Sequence, residues 1–208
     1  MKKSRLLPGA VLGLITLVII PFVAKSQETG YVSHFKVSVD LVSSYAWRGS
    51  LSTLSPTPNL QPTLAFRNGN FEIGVWESTD FAGSYKELDT YISYTAGQFR
   101  FTFTDYNWNF DKANYFNYTN SETGHRLEGS IGYAGSDKLP ISITWNTMFY
   151  GFDKKAEDTT KQAFSTYIEL GYIKGIATVF LGYTPWTGLY NNYGVTAFDP
   201  EAGKNLFQ

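Results

Sequence analysis

From Phe35 to Gly49 the chain alternates. Phe35, Val37, Val39, Leu41, Tyr45 and Trp47 fall on one side of an extended backbone, and Lys36, Ser38, Asp40, Ser44 and Arg48 on the other. A period of two is the mark of a strand with two unlike faces. The pattern returns in Leu60–Phe66, Phe71–Ser78 and Leu88–Thr95, and is cleanest in FRFTFT, where Phe99, Phe101 and Phe103 alternate with Arg100, Thr102 and Thr104. It continues through His125–Tyr133, Leu139–Phe149, Phe164–Tyr172 and Ile176–Thr184. Nine strands are predicted, most of them near the length of about ten residues that a tilted barrel strand needs to cross a bilayer. No amphipathic helix is predicted after residue 26.

The connections alternate in length as well. Gly-bearing turns fall at Arg67-Asn68-Gly69-Asn70, Ala96-Gly97-Gln98, 134–138 and Ile173-Lys174-Gly175. Longer polar loops fall between them, at 49–59, 79–86, 109–124 and 150–162. Tight turns on one side and long loops on the other are the layout of an up-and-down outer-membrane barrel, with the long loops outside the cell. The N-terminus is then periplasmic and Arg48-Gly49 lies near the outer rim.

The decisive question is which face is buried. A soluble barrel would bury the apolar set and carry many Lys and Glu outside. Here the polar set is mainly Ser, Thr, Gly and Asn, with charges of both signs: Lys36, Asp40, Arg48, Arg67, Glu72, Asp89, Arg100, Arg126, Glu128 and Glu169. Facing lipid near the midplane, the basic members cost about 2–4 kcal/mol each and the acidic ones less. They are therefore expected to line the lumen.

Composition sharpens this picture. Aromatic residues make up 17% of the chain, with 15 Tyr, 16 Phe and 5 Trp. Many sit near strand ends, and Tyr45, Trp47, Tyr94, Trp108, Tyr133, Trp145, Phe149, Tyr172 and Tyr183 are expected to form interfacial girdles. Residues 1–26 read as an export signal: Lys2, Lys3 and Arg5 precede the apolar run Leu6–Val23, and Ala24-Lys25-Ser26 fits a cleavage site. There is no Cys, so neither a lipobox nor a disulfide framework is predicted. With Lys2, Lys3, Arg5 and Lys25 removed, 13 of the 17 basic residues face 18 acidic ones, a net charge of −5 that argues against a nucleic-acid partner.

The run Val39–Gly49 (VDLVSSYAWRG), the Pro-bearing loop Ser55-Pro56-Thr57-Pro58 and Phe71–Ser78 (FEIGVWES) resemble the TorF-type porins of Gram-negative bacteria, as does Glu87–Tyr91 with its following Gly97 turn. The first strand of that family ends in Tyr-x-x-Arg-Gly and its third carries Gly-x-Trp-x-Ser. The similarity spans about Val37 to Trp186. It implies an outer-membrane barrel acting as a pore, with no catalytic residues; for passive diffusion no cofactor is expected, and no metal site is expected.

Other chemistry is weak. His34 and His125 fall at opposite ends of the strands and do not converge on a metal. Ser121 and Asn120 lie near His125, but no nucleophile-elbow pattern surrounds them, so no enzyme is expected. Asp153, Glu157 and Asp158 could offer hard oxygens to Ca2+, with Lys154 and Lys155 interrupting the set. Asn117-Tyr118-Thr119 is read as a polar loop.

The expected whole is all-β: an antiparallel up-and-down transmembrane β-barrel over residues 27–208, in contact with outer-membrane lipid, as a monomer or a homo-oligomer. Nine strands would be present of about ten to twelve, because Gly203–Gln208 reads as the start of a further strand. Two interiors stay open. Arg48, Arg100 and Arg126 could face Asp40, Asp89, Glu128 and Glu169 across an aqueous pore that passes small polar solutes, or the charges could pair and fill a closed structural or adhesive barrel.

Overall fold

Runs rich in Phe, Ile, Val, Tyr and Thr, broken by Gly and Asn, become one meandering sheet. The computed structural model describes residues 34–48, 50–51, 57–108, 115–120, 122–155, 157–174 and 177–186. The export signal read over residues 1–26, the loop at 55–56 and the strand start read at 203–208 lie outside the described residues.

The elements are β1 (Phe35–Val42), β2 (Ala46–Trp47), β3 (Ser50–Leu51), β4 (Asn59–Asn68), β5 (Phe71–Asp80), β6 (Lys86–Ala96), β7 (Phe99–Trp108), β8 (His125–Tyr133), β9 (Ile141–Gly151), β10 (Thr166–Lys174) and β11 (Ala177–Tyr183). Nine of them form a single antiparallel sheet in the order β1-β4-β5-β6-β7-β8-β9-β10-β11, so every long strand pairs with its neighbour in the chain. β2 and β3 make a separate two-stranded ribbon. The two-residue turn at Gly69-Asn70 places Gly69, its first central residue, at φ +58°, the positive φ for which a hairpin turn of this kind takes glycine first.

Register fixes two rows of side chains. Phe66, Ile73, Ile92, Phe103 and Gly129 stand on one face, while Arg67, Glu72, Ser93, Thr102 and Ser130 stand on the other. The apolar row is exposed, with Val37 at 74% and Ile73 at 57%. The polar row is buried over much of its length, with Glu87 and Met148 at 0% and Glu128 at 1%. A lone flat sheet would wet both faces equally. The polar row is the covered, inner face: Arg48 reaches Glu128 of β8 and Tyr167 of β10 while nearby Tyr45 meets Trp76 of β5, so the sheet is curved around this face.

Two local features depart from plain alternation. Strand one is expected to run to Trp47, but β1 stops at Val42 and the chain bends at Ser43-Ser44. Between β8 and β9 a β-bulge at Leu127/Glu128 shifts the register, so Met148 opposes Glu128 and Tyr150 opposes Leu127. Gly151, at φ +91°, follows the bulge with its Cα against the His125 carbonyl.

Candidate functional site on the inner face

Past the Ser43-Ser44 bend, residues 45–48 form a strap lying on the inner face. The Tyr45 ring packs 5.3 Å from Trp76 of β5 and 6.1 Å from Tyr85. Trp47 meets Trp108 and Tyr106 of β7 edge-on at 5.4 and 6.1 Å. Arg48 stacks 4.3 Å over Trp47 and 5.0 Å over Tyr167 of β10. Its Nη2 donates to Glu128 Oε1 of β8 at 2.8 Å, and the Tyr106 hydroxyl donates to the same oxygen at 3.0 Å. Tyr45, Trp47 and Arg48 thus touch strands up to five places apart, which a curled sheet brings within reach. Arg48 holds φ 49°, an uncommon conformation for a branched cation and one kept by its surroundings.

The inner row of β6 starts beside the strap. Glu87 accepts from the Tyr85 hydroxyl at 2.6 Å and from Trp108 Nε1. Asp89 lies between Trp76 and Tyr106, its cross-strand partners, and its Oδ1 has no hydrogen-bond partner. Arg126 of β8 stacks 4.2 Å over Trp108 and 5.0 Å over Phe152, and its Nη1 donates to the Gly124 carbonyl at 2.6 Å. Toward the short-turn end Glu72 collects Arg67, Arg100 at 3.0 Å and the Tyr91 hydroxyl at 3.1 Å. Acid and base therefore interleave around the inner face instead of dividing into two opposed walls.

A second polar cluster sits on the outer face at the long-loop end. Asp105, Asn107 and His125 occupy outer-row positions, and residues 115–120 cover them. Tyr118 stacks on His125 with centroids 4.1 Å apart and donates its hydroxyl to Asp105 Oδ2 at 2.7 Å. His125 Nδ1 meets Asp105 Oδ1 at 2.7 Å, and Nε2 meets the Tyr115 carbonyl. Burial, then the bond to Asp105, holds the Tyr118 hydroxyl above the ordinary tyrosine range. Tyr150, re-aimed by the bulge, donates to the Tyr118 carbonyl at 2.6 Å, and Lys154 Nζ donates to Asn120 Oδ1 at 2.8 Å. Both ring nitrogens of His125 are thus engaged by the loop and Asp105; Ser121 lies outside the described residues.

Asp153 is a loop anchor, accepting from Ser165 N at 2.9 Å, Ser165 Oγ at 2.5 Å and Gln162 Nε2 at 3.1 Å. Asp158 is held by the Thr160 hydroxyl and Lys161, which keep its carboxyl below the usual range. Glu157 is exposed, and the three acids do not converge on one point: among the described residues no group of three His, Cys, Asp or Glu is placed to hold a metal.

The ten expected lumen residues all fall on the polar side. Lys36 and Asp40 are exposed on the inner row of β1, Arg67 and Arg100 are exposed around Glu72, and Asp89, Arg126 and Glu128 are buried. Arg48 is half-buried on the strap, and Glu169 accepts from Tyr167 at 3.2 Å. Of the nine expected girdle aromatics, Tyr94, Tyr133, Trp145, Phe149, Tyr172 and Tyr183 stand on the outer face. Tyr45, Trp47 and Trp108 stand inside: the strap carries the first two inward, and Trp108 shares the parity of Arg100, Thr102 and Thr104.

Trp76 and Glu87 entered only as members of the segments Phe71–Ser78 and Glu87–Tyr91, and Tyr106 and Tyr167 were not among the expected site residues, although the parity of Glu87 with Asp89 and of Tyr106 with Thr104 places both pairs on one face. Compared with family models, with curated proteins and with solved structures, the chain matches none.

Proposed function

We propose that the chain is a pore-type β-barrel of the bacterial outer membrane, passing small polar or charged solutes by diffusion. The observation that carries this reading is inverted burial: large apolar side chains such as Val37, Ile73, Phe101 and Ile143 are exposed while Glu87, Asp89 and Glu128 are buried. Water penalises such a surface, and a hydrocarbon phase favours it. The charged outer-row residues Glu77, Lys86 and Asp105 support it, since they gather at the long-loop end and leave an apolar belt below. The resemblance of Val39–Gly49 and Phe71–Ser78 to TorF-type porins supports it further. On this reading the edges β1 and β11 are joined, directly or through intervening strands, because unpaired backbone is costly in lipid.

A second reading, a closed structural or adhesive barrel whose outer loops bind a ligand or partner, is favoured by the strap, which packs Trp47 and Arg48 across the interior. Full-length protein is refolded and inserted into planar bilayers. Stepwise conductance together with a heat-dependent shift on gel electrophoresis supports the pore; the gel shift without conductance supports the closed barrel. Recovery in the soluble fraction with no gel shift rejects both.

A further inference from the structure

We propose that Glu87 and Asp89, on the inner row of β6, form a binding site for a small ammonium-type cation, walled by Tyr45, Trp76, Tyr85 and Trp108. The first argument is charge. Glu72 has Arg67 and Arg100 beside it, and Glu128 has Arg48. Glu87 and Asp89 have no ion-pair partner among the described residues: Glu87 is held by the neutral donors Tyr85, Trp108 and Tyr45 and by a hydrogen bond with Asp89, whose other oxygen, Oδ1, has no partner. Both residues are more than nine-tenths buried. Two carboxyls taken out of water and joined by one shared proton still hold one negative charge, which calls for a positive counter-charge.

The surroundings select its kind. Arg126 stacks on Trp108, donates to Gly124 through Nη1 and lies near enough to act on Tyr85, but no ion pair joins it to Glu87 or Asp89. Two carboxylates without a third oxygen-rich ligand make a poor set for a divalent ion. Aromatic faces complete the wall instead: Trp76 lies across from Asp89, Trp108 across from Glu87, and Tyr45 packs against both Trp76 and Tyr85. Ring faces attract alkylammonium groups, and carboxylates accept their N–H bonds. Tyr45 belongs to the strap, so displacement of that ring is the way in.

The site deepens the pore reading by naming the solute class, and its test is independent of conductance. Protein folded in detergent micelles is titrated with ethylammonium chloride, and with NaCl at equal ionic strength, following tryptophan fluorescence. A saturable response to ethylammonium that NaCl does not give is expected. Asp89→Asn should weaken it at least tenfold, and Asp137→Asn, in the turn after β8, should leave it unchanged. An equal response to both salts, or no change in Asp89→Asn, overturns the site. Should Asp89→Asn not fold, the two-salt comparison on the native protein decides alone. Saturable binding without bilayer current keeps the site and rejects the pore; current without saturable binding does the reverse.

Discussion

Arg48 and Glu128 meet at 2.8 Å although they stand 80 positions apart in the chain. Glu128 is 1% exposed at its side chain and Arg48 15%, so the pair is largely out of water. Breaking a buried pair from one side strands a charge and costs about 3–5 kcal/mol, far above the value of a surface pair. Arg48→Ala is therefore expected to lower stability by about 3 kcal/mol in urea unfolding. Arg48→Lys should recover only part of this, because an ammonium does not stack between Trp47 and Tyr167 as a guanidinium does. The double variant Arg48→Ala/Glu128→Leu should be more stable than Arg48→Ala alone. A double variant no better than the single one would refute the stranded-charge account.

The Glu72 network predicts the opposite scale. Arg67 is 62% and Arg100 44% exposed at the side chain, so solvent screens both pairs. Arg67→Ala and Arg100→Ala are each expected to cost under about 1 kcal/mol in the same unfolding measurement. A loss near that of Arg48→Ala would mean that this end of the inner face is closed to water.

Strand content was legible because strict alternation such as FRFTFT leaves little choice of face, and turns such as Asn68-Gly69 need little context. The inward position of Trp108 was legible too, by counting from Arg100 in twos; its place at a strand end argued for a girdle, yet parity prevails because β7 runs unbroken to Trp108. The strap was not legible. Tyr45 and Trp47 continue the count from Phe35 through Leu41, and nothing local reveals that the backbone turns at Ser43-Ser44 to pack on residues of β5, β7, β8 and β10. The cover over Asp105 and His125 escaped for a related reason, since it joins a loop to strand positions through Tyr118 and Tyr150.

Two glycines separate conformational strain from crowding. Gly69 holds φ +58° with open space where a Cβ would stand, so Gly69→Ala is expected to cost about 1–2 kcal/mol, the left-handed penalty alone. At Gly151 the φ of +91° is joined by a Cβ that would sit 2.0 Å from the His125 carbonyl oxygen. That contact forces β8 and β9 apart at the bulge, and Gly151→Ala is expected to cost about 4 kcal/mol or more, seen as loss of the folded band on unheated gels. Equal urea midpoints for the two variants would show that the bulge yields freely.

The Tyr118 latch gives a pH dependence of defined sign. Burial, and then the hydrogen bond its hydroxyl donates to Asp105 Oδ2, favour the protonated phenol in the folded state, so the folded pKa lies above the unfolded value of about 10. A raised folded pKa contributes stability that is fully present below about pH 10 and fades as pH climbs through the higher folded value. Wild type should therefore exceed Tyr118→Phe in stability at pH 8, and the two should converge in strong alkali. The 295 nm titration difference between them isolates this phenol, and its midpoint is expected above about 10. A midpoint at the ordinary tyrosine value would mean that residues 115–120 do not rest on Asp105 in solution, and the outer face of β7 and β8 would then carry His125 uncovered.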